Sequence, residues 1–407
     1  MALQTPTVTI DGQTNWTLRR AELIESVCAM GLIHVEVLTD NNDVDPQSML
    51  HQAVSIKLPT LQQSNEWRYV NGIVWHWSSM GPFREEDGKY VHRIVVVPPL
   101  MLLSLRRFTR GFNGIPAQQI WRDVLSPYGD RVPFNDNSAL MVLENEPSTV
   151  TLESAHQSDE TDLQFLMRTL QSNGVFWFHE STNDNEPPKL MLGTMSQSAK
   201  PWGDGSPLTF DADASEVAFG PTVLQWARHA ASSARTPVVH AMHPLVAGTT
   251  PPANVMAMGA SPSDTSFKGF DWFDLDQGSP LGGEGLADLQ SRIAKVLEQS
   301  MALEDNWATG IATTTAVAPG FKATINNLPG ASTPADWFVV STRTLVAGPG
   351  LGSGTSADEP RMLTSVRAIP LNIPFRPPLD ATHVDPPTLG GNAMAMDVMQ
   401  PLAVEAG

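Results

Sequence analysis

The 407-residue chain contains a single cysteine, Cys28. One cysteine cannot form an internal disulfide, and it cannot supply the thiolates of a cysteine-built zinc site. Long apolar runs are also missing, since the longest covers only residues 95–105 and is interrupted by Pro98 and Pro99. A membrane-spanning helix needs about 20 apolar residues. Residues 1–11 carry no basic segment followed by an apolar core. The sequence therefore predicts no membrane insertion and no signal peptide.

Basic residues are scarce as well. The chain has 25 Lys and Arg against 43 Asp and Glu, which gives a formal net charge of −18. Acidic residues exceed basic ones on both sides of residue 200, so the excess is spread over the chain. A uniformly acidic surface repels nucleic acid and anionic membranes. We therefore expect neither as a partner.

Strand patterns dominate the first 104 residues. Ile33, Val35 and Val37 occupy alternate positions, as expected for a half-buried strand. Short runs of this kind, separated by clusters of Asn, Asp, Gly and Pro, favour a β-sandwich or barrel. The predicted strands span residues 32–38, 53–58, 67–77 and 90–97, and residues 83–90 are predicted to form a hairpin loop.

One helix is predicted within this region, over Thr17–Cys28. Apolar residues from Leu18 to Val27 recur there at helical spacing, and Gly31 follows as a stop signal. The pattern places Cys28 on the apolar face of the helix. A cysteine in such a position is typically an unreactive core thiol.

Residues 105–205 have the pattern of an α+β segment. A helix is predicted over residues 116–128 and a second over 162–173, with short strands at 149–155 and 175–179. The second helix has the clearest pattern in the chain, because its apolar residues follow the i, i+3, i+4, i+7 spacing and Asn173-Gly174 provides an end signal. Its start is acidic, with Asp159, Glu160 and Asp162 placed where the helix dipole favours negative charge.

Residues 206–375 return to strand patterns. A long connection over residues 246–285 is rich in Gly, Pro, Ser and Asp, and a helix is predicted over 286–301. The tail from residue 376 to 407 is rich in Pro and Met. The predicted strands span residues 217–226, 238–242, 311–318, 322–325, 337–345 and 362–369.

Metal and phosphate sites have only weak candidates. His240 and His243 have a spacing that could ligate a metal, but no HExxH pattern accompanies them. The glycine-rich segment 348–354 lacks the lysine and the following helix of a phosphate loop. Residues 282–285 lack the spacing of a dinucleotide-binding loop. We therefore predict no metal site and no cofactor.

Catalytic residues have no strong candidates either. His179-Glu180 ends a predicted strand, but the sequence identifies no second carboxylate for acid–base chemistry. The chain contains no GxSxG segment of the serine hydrolases. A local basic cluster is partly offset by Asp123 and is more typical of a solvated or interface surface than of a nucleic-acid site. It consists of Arg106, Arg107 and Arg110.

Three segments nevertheless resemble one family. Residues 67–74 (WRYVNGIV) with 90–107, and residues 155–180 (AHQSDETDLQFLMRTLQSNGVFWFHE), resemble the VgrG spike proteins of type VI secretion systems and the phage baseplate-hub proteins. Residues 318–323 with 337–341, and Pro374–Pro377 near a closing strand, give a weaker third match. The matching positions of the second segment are Gln157, Glu160, Thr161, Asp162, Phe165, Arg168, Leu170, Gly174, Phe178 and His179.

The resemblance also has departures. His156-Gln157 replaces the usual Gln-Tyr, and Ser172-Asn173 replaces an acidic pair. The sequence contains no counterpart of the oligonucleotide-fold-like domain and β-helical needle that follow in the spike proteins.

The resemblance implies a mainly β fold with α+β insertions: two related β-barrel domains and an α/β domain, as in the phage hub. It implies a first barrel at residues 1–104, an α+β insertion at 105–205, and a second barrel at 206–375 that contains a long connection and helix at 246–305. Residues 376–407 would be a tail or the truncated start of a spike domain.

The resemblance further implies a structural protein with no active site. Three subunits would place six barrels in a ring that sits on a hexameric tube and carries a threefold spike. The expected partners are two more copies of the chain, the tube protein, and a spike-tip or effector protein. The protein would be made and assembled in the bacterial cytoplasm and then expelled. The acidic residues at 159–162 would cap a helix.

Three other interpretations stay open. The chain could be a phage late-control tail protein of the same fold, without a spike. It could be an adaptor that carries an effector on its 376–407 tail. It could be an enzyme such as a peptidoglycan hydrolase, although the resemblance leaves no further domain to hold the active site.

Overall fold

The computed structural model defines two β-sheet units with an α+β segment between them. Twenty strands and three α-helices are assigned in the described part of the chain. No helix in that part is long and apolar enough to cross a membrane. The described residues are 5–61, 66–83, 88–135, 151–184, 186–214, 220–231, 237–241, 253–254, 270–274, 295–296, 298–300, 302–330, 333–347 and 361–377.

The first unit is a six-stranded antiparallel sheet in the order β1-β4-β5-β6-β3-β2. Its elements are β1 (Thr7–Ile10), β2 (Thr17–Ser26), β3 (Leu32–Thr39), the short helix α1 (Pro46–Met49), β4 (Ala53–Pro59), β5 (Trp67–Pro82) and β6 (Tyr90–Val97). The sheet is strongly curved, because Val8 of β1 and Leu23 of β2 pack in the same core. The predicted alternation in β3 is confirmed, since Ile33, Val35 and Val37 are all buried.

The predicted helix over Thr17–Cys28 is wrong, because β2 is a strand that pairs with β3. A β-bulge explains the misleading pattern. The register shifts between Leu18 and Arg20, so one extra residue separates the buried side chains of Leu18 and Ala21. Those side chains therefore recur at a spacing of three, which imitates a helix.

Cys28 consequently lies in the turn between β2 and β3. Its backbone has a positive φ of 60°, and its N–H donates to the carbonyl oxygen of Trp177 at 2.8 Å. Burial raises the pKa of the Cys28 thiol to about 12. A raised pKa agrees with the expected unreactive thiol, but the predicted position is wrong, because Cys28 lies in a turn and not on a helix face.

The α+β segment follows a 3-10 turn at Pro99–Leu105. Its elements are β7 (Arg107–Pro116), α2 (Ala117–Leu125), a 3-10 turn (Ser126–Arg131), β8 (Phe134–Asn135), β9 (Thr151–Thr161), α3 (Asp162–Ser172), β10 (Phe176–Glu180) and β11 (Lys189–Gly193). β7 and β9 form a two-stranded ribbon, and β10, β11 and β8 form a small sheet. Both predicted helices are confirmed to within three residues at each end. Trp121, Leu166 and Trp177 lie in their shared core.

The second unit is a closed barrel of six strands. Its elements are β12 (Leu208–Phe210), β13 (Thr222–His229), β17 (Trp307–Ala312), β18 (Lys322–Asn326), β19 (Asp336–Ala347) and β20 (Arg361–Pro370). The order β12-β18-β19-β20-β17-β13 returns to β12 through a parallel β12–β13 pairing. The prediction of a strand at 311–318 is misplaced, because β17 ends at Ala312 and the buried threonines Thr313, Thr314 and Thr315 bond to backbone carbonyl groups.

The connection between β13 and β17 includes a small sheet. It consists of β14 (Pro237–Ala241), β15 (Ala253–Asn254) and β16 (Phe270–Asp274) in the order β15-β14-β16. The last two strands fall in the stretch that was expected to be irregular. Of the helix predicted at 286–301, residues 295–296 and 298–300 are described and are helical. His243 and residues 282–285, 348–354 and 378–407 lie outside the described residues.

The two units have the same strand order. When the strands of each unit are numbered one to six along the chain, both units read 1-4-5-6-3-2. Strand two of each unit carries a bulge at its third residue, Arg19 in β2 and Leu224 in β13. Strand five also carries a bulge in both, at Trp75 of β5 and Val340 of β19. Shared order and shared bulges indicate two versions of one fold.

The units are joined into a single twelve-stranded sheet. β2 of the first unit pairs antiparallel with β19 of the second, from Ser26 opposite Ser341 to Arg20 opposite Ala347. An ion pair between Glu22 and Arg343, at 2.6 Å, crosses this ladder. We call the β2–β19 ladder the unit joint.

The second barrel offers a direct test of its packing. A Cβ added at Gly310 of β17 would lie 2.7 Å from Cζ3 of Trp226 and 2.9 Å from the carbonyl oxygen of Gln225. We therefore expect Gly310→Ala to lower the free energy of unfolding by about 1–3 kcal/mol, the usual cost of overpacking. Gly220→Ala is the control, since a Cβ there meets nothing within 4 Å. Equal urea midpoints for the two variants would contradict the packing described.

Candidate functional site: the contacts around the unit joint

The segments that resemble the hub family meet where the two units and the α+β segment come together. A cleft there has about 630 Å³ of empty space, counting its open mouth. All three parts of the chain contribute to its walls, which include Arg68 of β5, Phe178 and His179 of β10, and Pro319 from the loop before β18.

Arg68 ties the first unit to the second. Its side chain is only 3% exposed. Its Nη1 donates to the carbonyl oxygens of Thr315 and Val317, both at 3.1 Å, and its Nη2 lies 2.6 Å from a carboxylate oxygen of Glu25. The guanidinium group therefore has two acceptors in the second unit and one in β2. A buried charge with this many partners fixes the relative position of both units.

Asn71 ties the first unit to the α+β segment. Its side-chain amide donates to the carbonyl oxygens of Asn183 and Glu186, at 2.7 and 2.8 Å. The hydroxyl of Ser55 on the neighbouring strand lies 2.8 Å from Asn71 Oδ1 and 2.7 Å from a carboxylate oxygen of Asp184, so its one proton is shared between these two acceptors. The loop after β10 is thus held against β4 and β5 by polar contacts.

Gly72, the next residue of the same segment, is required by close packing. A Cβ at this position would lie 2.7 Å from both Val96 Cγ1 and the carbonyl oxygen of Val97. The first hub-like segment therefore combines two polar anchors, Arg68 and Asn71, with a glycine that lets β5 and β6 approach.

Aromatic contacts join the second and third segments. Gly320 has a φ of 85°, and a Cβ there would collide with the ring of Phe178. The neighbouring Phe321 packs edge-on against the same ring, with 5.5 Å between the ring centroids. Only a glycine can place the 318–323 loop flat against β10 in this way.

The residues after β20 complete these contacts. Arg376 is 4% exposed, and it donates to the carbonyl oxygen of Gly174 at 3.1 Å and to the side chain of Gln299 at 2.7 Å. Phe375 packs edge-on against Phe176 of β10. Pro374–Pro377 therefore belongs to the folded core, and α3 ends against it.

The acidic start of α3 is a structural network. Asp162 is fully buried, and its carboxylate accepts hydrogen bonds from Arg110, Tyr128 and Gln157 at 2.8–3.0 Å. Thr161 and Gln164 form a capping box around the first turn. The expectation that the acidic residues at 159–162 cap a helix is therefore wrong, because Thr161 and Gln164 form the cap and the Asp162 carboxylate binds side chains outside the helix instead.

The other two acidic residues of this stretch form ion pairs with arginines. Glu160 pairs with Arg168 at 2.5 Å, and the exposed Asp159 pairs with Arg107 at 3.3 Å. The carboxylate of Asp123 accepts a hydrogen bond from Gln119 of the same helix. The carboxylate partners of the basic cluster in the described residues are Asp162, paired with Arg110, and Asp159, paired with Arg107.

His179 has an unusual position at the cleft. Its Nε2 is buried and has no hydrogen-bond partner in the described part of the protein, and its ring packs edge-on against Trp177. Burial lowers the pKa of His179 from 6.5 to about 3. The imidazole is therefore neutral near pH 7. Two carboxylates, Glu25 and Glu180, line the same cleft, and Glu25 is paired with Arg68.

Metal ligation has no support in the described residues, among which no group of three or more His, Cys, Asp or Glu side chains is clustered. His240 lies in β14.

Four residues of these contacts were not predicted from the sequence: Arg68, Asn71, Gly320 and Arg376. A usable signal existed for two of them, since Arg68 and Asn71 are polar residues inside the otherwise apolar strand 67–74.

Comparison with family models gives a match to the phage tail baseplate hub family, GPD, over residues 24–349. The chain belongs to this family. The match covers most of both units and the whole α+β segment, which are the parts that the contacts above hold together. Comparison with curated proteins finds no match.

Solved structures share the fold at low sequence identity. The Escherichia coli c3393 protein, a component of the type VI secretion system, has a TM-score of 0.61 at 14% identity, over 91% of this chain and 79% of that one. The 43 kDa tail protein of prophage MuSo2 from Shewanella oneidensis has a TM-score of 0.58 at 12% identity, over 91% and 100%. A Francisella PdpA–VgrG complex has a TM-score of 0.57 at 11% identity, over 92% and 54%.

Arg68 gives a test of the contacts around the joint. We expect Arg68→Met to lower the free energy of unfolding by about 2–4 kcal/mol, because it leaves a part-buried carboxylate and two carbonyl groups without their donor. The control is Arg93→Met, which removes the mostly exposed partner of Glu36 and should cost at most about 1 kcal/mol, because Glu36 keeps its ion pair with Arg19. Chemical denaturation with urea measures both, and losses of equal size would refute the assigned role.

His179 predicts a pH dependence. The unfolded chain binds a proton at this residue below pH 6.5, whereas the folded chain does so only near pH 3. The contribution of His179 to the free energy of unfolding is therefore fully present above pH 6.5. It is lost on acidification, by up to about 1.4 kcal/mol per pH unit. His179→Phe should flatten the decline between pH 6.5 and 4. The exposed His34 provides the control His34→Gln, which should keep the wild-type slope.

Proposed function

We propose that this protein is a VgrG-like hub component of a contractile injection machine, in which three copies form a ring that adapts a hexameric tube to a threefold spike. The observation that carries the proposal is the repeated strand order of the two units. Three chains with two like units each present six similar surfaces. A sixfold tube can dock on six similar surfaces, while the chain itself repeats only three times.

The rigid connection between the units supports this role. An adaptor transmits force only if its units keep their relative positions. Here the units share a continuous sheet through β2 and β19, and the buried Arg68 holds them from the side. The fixed arrangement means that the spacing of two tube-facing units is set within each chain.

Secretion systems and phage tails are both represented among the similar structures. The c3393 protein belongs to a secretion system and the MuSo2 protein to a prophage tail. The second candidate function is therefore a phage tail hub. The description of the matched family, a phage tail baseplate hub, favours this candidate. Neighbouring tail-tube and tape-measure genes would select the phage role, and membrane-complex and sheath genes would select the secretion role.

Further proposals concern partners and chemistry. A VgrG in Francisella forms a complex with PdpA, and we propose a comparable spike-tip or effector partner for this chain. We also propose that the protein is not an enzyme and that it is expelled with the machine. Clearing of a cell-wall suspension by the purified protein would contradict the first of these two statements.

Native mass spectrometry tests the ring. We expect a species of 132 kDa, three times the chain mass of 44.1 kDa. Three copies carry a formal charge of −54, three times −18. Salt should therefore strengthen assembly by screening the repulsion between copies. We expect the trimer fraction to rise between about 50 and about 300 mM salt, the range in which surface charges become screened. A monomer at tens of micromolar in both salts would contradict autonomous ring formation.

A further inference from the structure

We infer that neighbouring subunits join by placing β13 of one copy beside β5 of the next, so that the contact between chains repeats the unit joint within each chain. This inference rests on the proposed ring. It names the strands that close the ring and the register in which they pair.

The unit joint provides the template. It pairs strand two of the first unit with strand five of the second. In both strands the paired stretch begins directly after a bulge. β2 contributes residues 20–26 after the bulge at Arg19, and β19 contributes residues 341–347 after the bulge at Val340.

The equivalent strands in the opposite units, β13 and β5, have open edges. β13 is strand two of the second unit and pairs with β12 only at Thr222 and Val223. β5 is strand five of the first unit, and β4 covers its outer edge only as far as Ile73, with His51 and Gln52 bonding to Val74. Beyond these points no described strand pairs with either edge, although the short helix α1 lies near β5 and His51 contacts Trp75. Open strand edges of this kind favour pairing with another chain.

The bulges fix the expected register. Leu224 corresponds to Arg19, and Trp75 corresponds to Val340. The residue pairs of the unit joint can be transferred to β13 and β5 by aligning these bulges. Four residues of β5 then lie antiparallel to the last two residues of β13 and the two residues that follow them. A second bulge of β5, at Met80, shifts the register beyond them. The expected pairs are His76–Ala231, Trp77–Ala230, Ser78–His229 and Ser79–Arg228.

The exposure of these residues agrees with a contact between subunits. Ser79, Arg228, Ala230 and Ala231 are exposed, and Met80 beside them is 53% exposed. The two edges differ, so the contact is head-to-tail and each subunit uses both of them once. A head-to-tail contact closes into a ring or continues as a filament. Six like units require closure at three subunits.

Disulfide trapping between two single-cysteine-addition variants tests the pairing. Full-length Ser79→Cys and Arg228→Cys proteins are mixed and oxidised, and the product is read on non-reducing gels. Directly opposed residues of an antiparallel pair come within disulfide distance. We expect a linked dimer in the mixture and none in either variant alone. The native Cys28 should not interfere, because burial raises the pKa of its thiol to about 12.

A register-shifted mixture of Ser79→Cys with Gln225→Cys serves as the control, since Gln225 is also exposed but lies three residues away. A linked dimer confined to the Arg228→Cys mixture supports the pairing. A trimeric native mass without this dimer overturns the pairing and leaves the proposed ring in place. A monomeric mass without it overturns both for this chain. Covalent species longer than three subunits in the Ser79→Cys/Arg228→Cys double variant would overturn the closed ring.

Discussion

The relative position of the two units depends on one antiparallel ladder, between β2 and β19, and on the buried guanidinium group beside it. Backbone ladders set distance and direction, but they allow sliding where side chains are small. Arg68 removes that freedom, because its three acceptors lie on β2 and on the 313–318 stretch of the second unit. The charge cannot leave its site without losing all three partners. The α+β segment is then held by Asn71, which lies three residues further along the same strand.

The two units are alike in strand order but not in their surroundings. The α+β segment follows strand six of the first unit, and the small β14–β16 sheet lies between strands two and three of the second. The first strand of each unit also differs, since β1 runs antiparallel to β4 whereas β12 runs parallel to β13 and β18. In the proposed ring the shared strands would give near-sixfold surfaces. The insertions occur once per chain, so they would impose threefold symmetry wherever they project.

Local patterns predicted much of this fold. The helix α3 was recognisable because its apolar spacing, capping residues and end signal agree, and β3 because its alternation is regular. β2 was misread because a bulge changed the spacing of its buried side chains. The contacts around the joint could not be derived from spacing, because Arg68 reaches residues almost 250 positions away. Arg376 falls in the predicted tail because the Pro-rich composition there obscured its burial against Gly174. Sequence patterns report local geometry, whereas these contacts depend on the final topology.

The charge of the chain limits how such a protein can assemble. Part of its scarce basic charge is already used internally, since Arg68, Arg110, Arg168 and Arg343 each pair with a carboxylate inside the subunit. Copies with a net charge of −18 repel one another, and these four arginines cannot offset that repulsion with ion pairs between subunits. Strand pairing avoids the difficulty, because backbone hydrogen bonds do not depend on side-chain charge. The edges of β5 and β13 suit such a contact, since the eight residues expected to pair include no carboxylate. An acidic hub can therefore form a ring through its backbone without burying further carboxylates at these two edges.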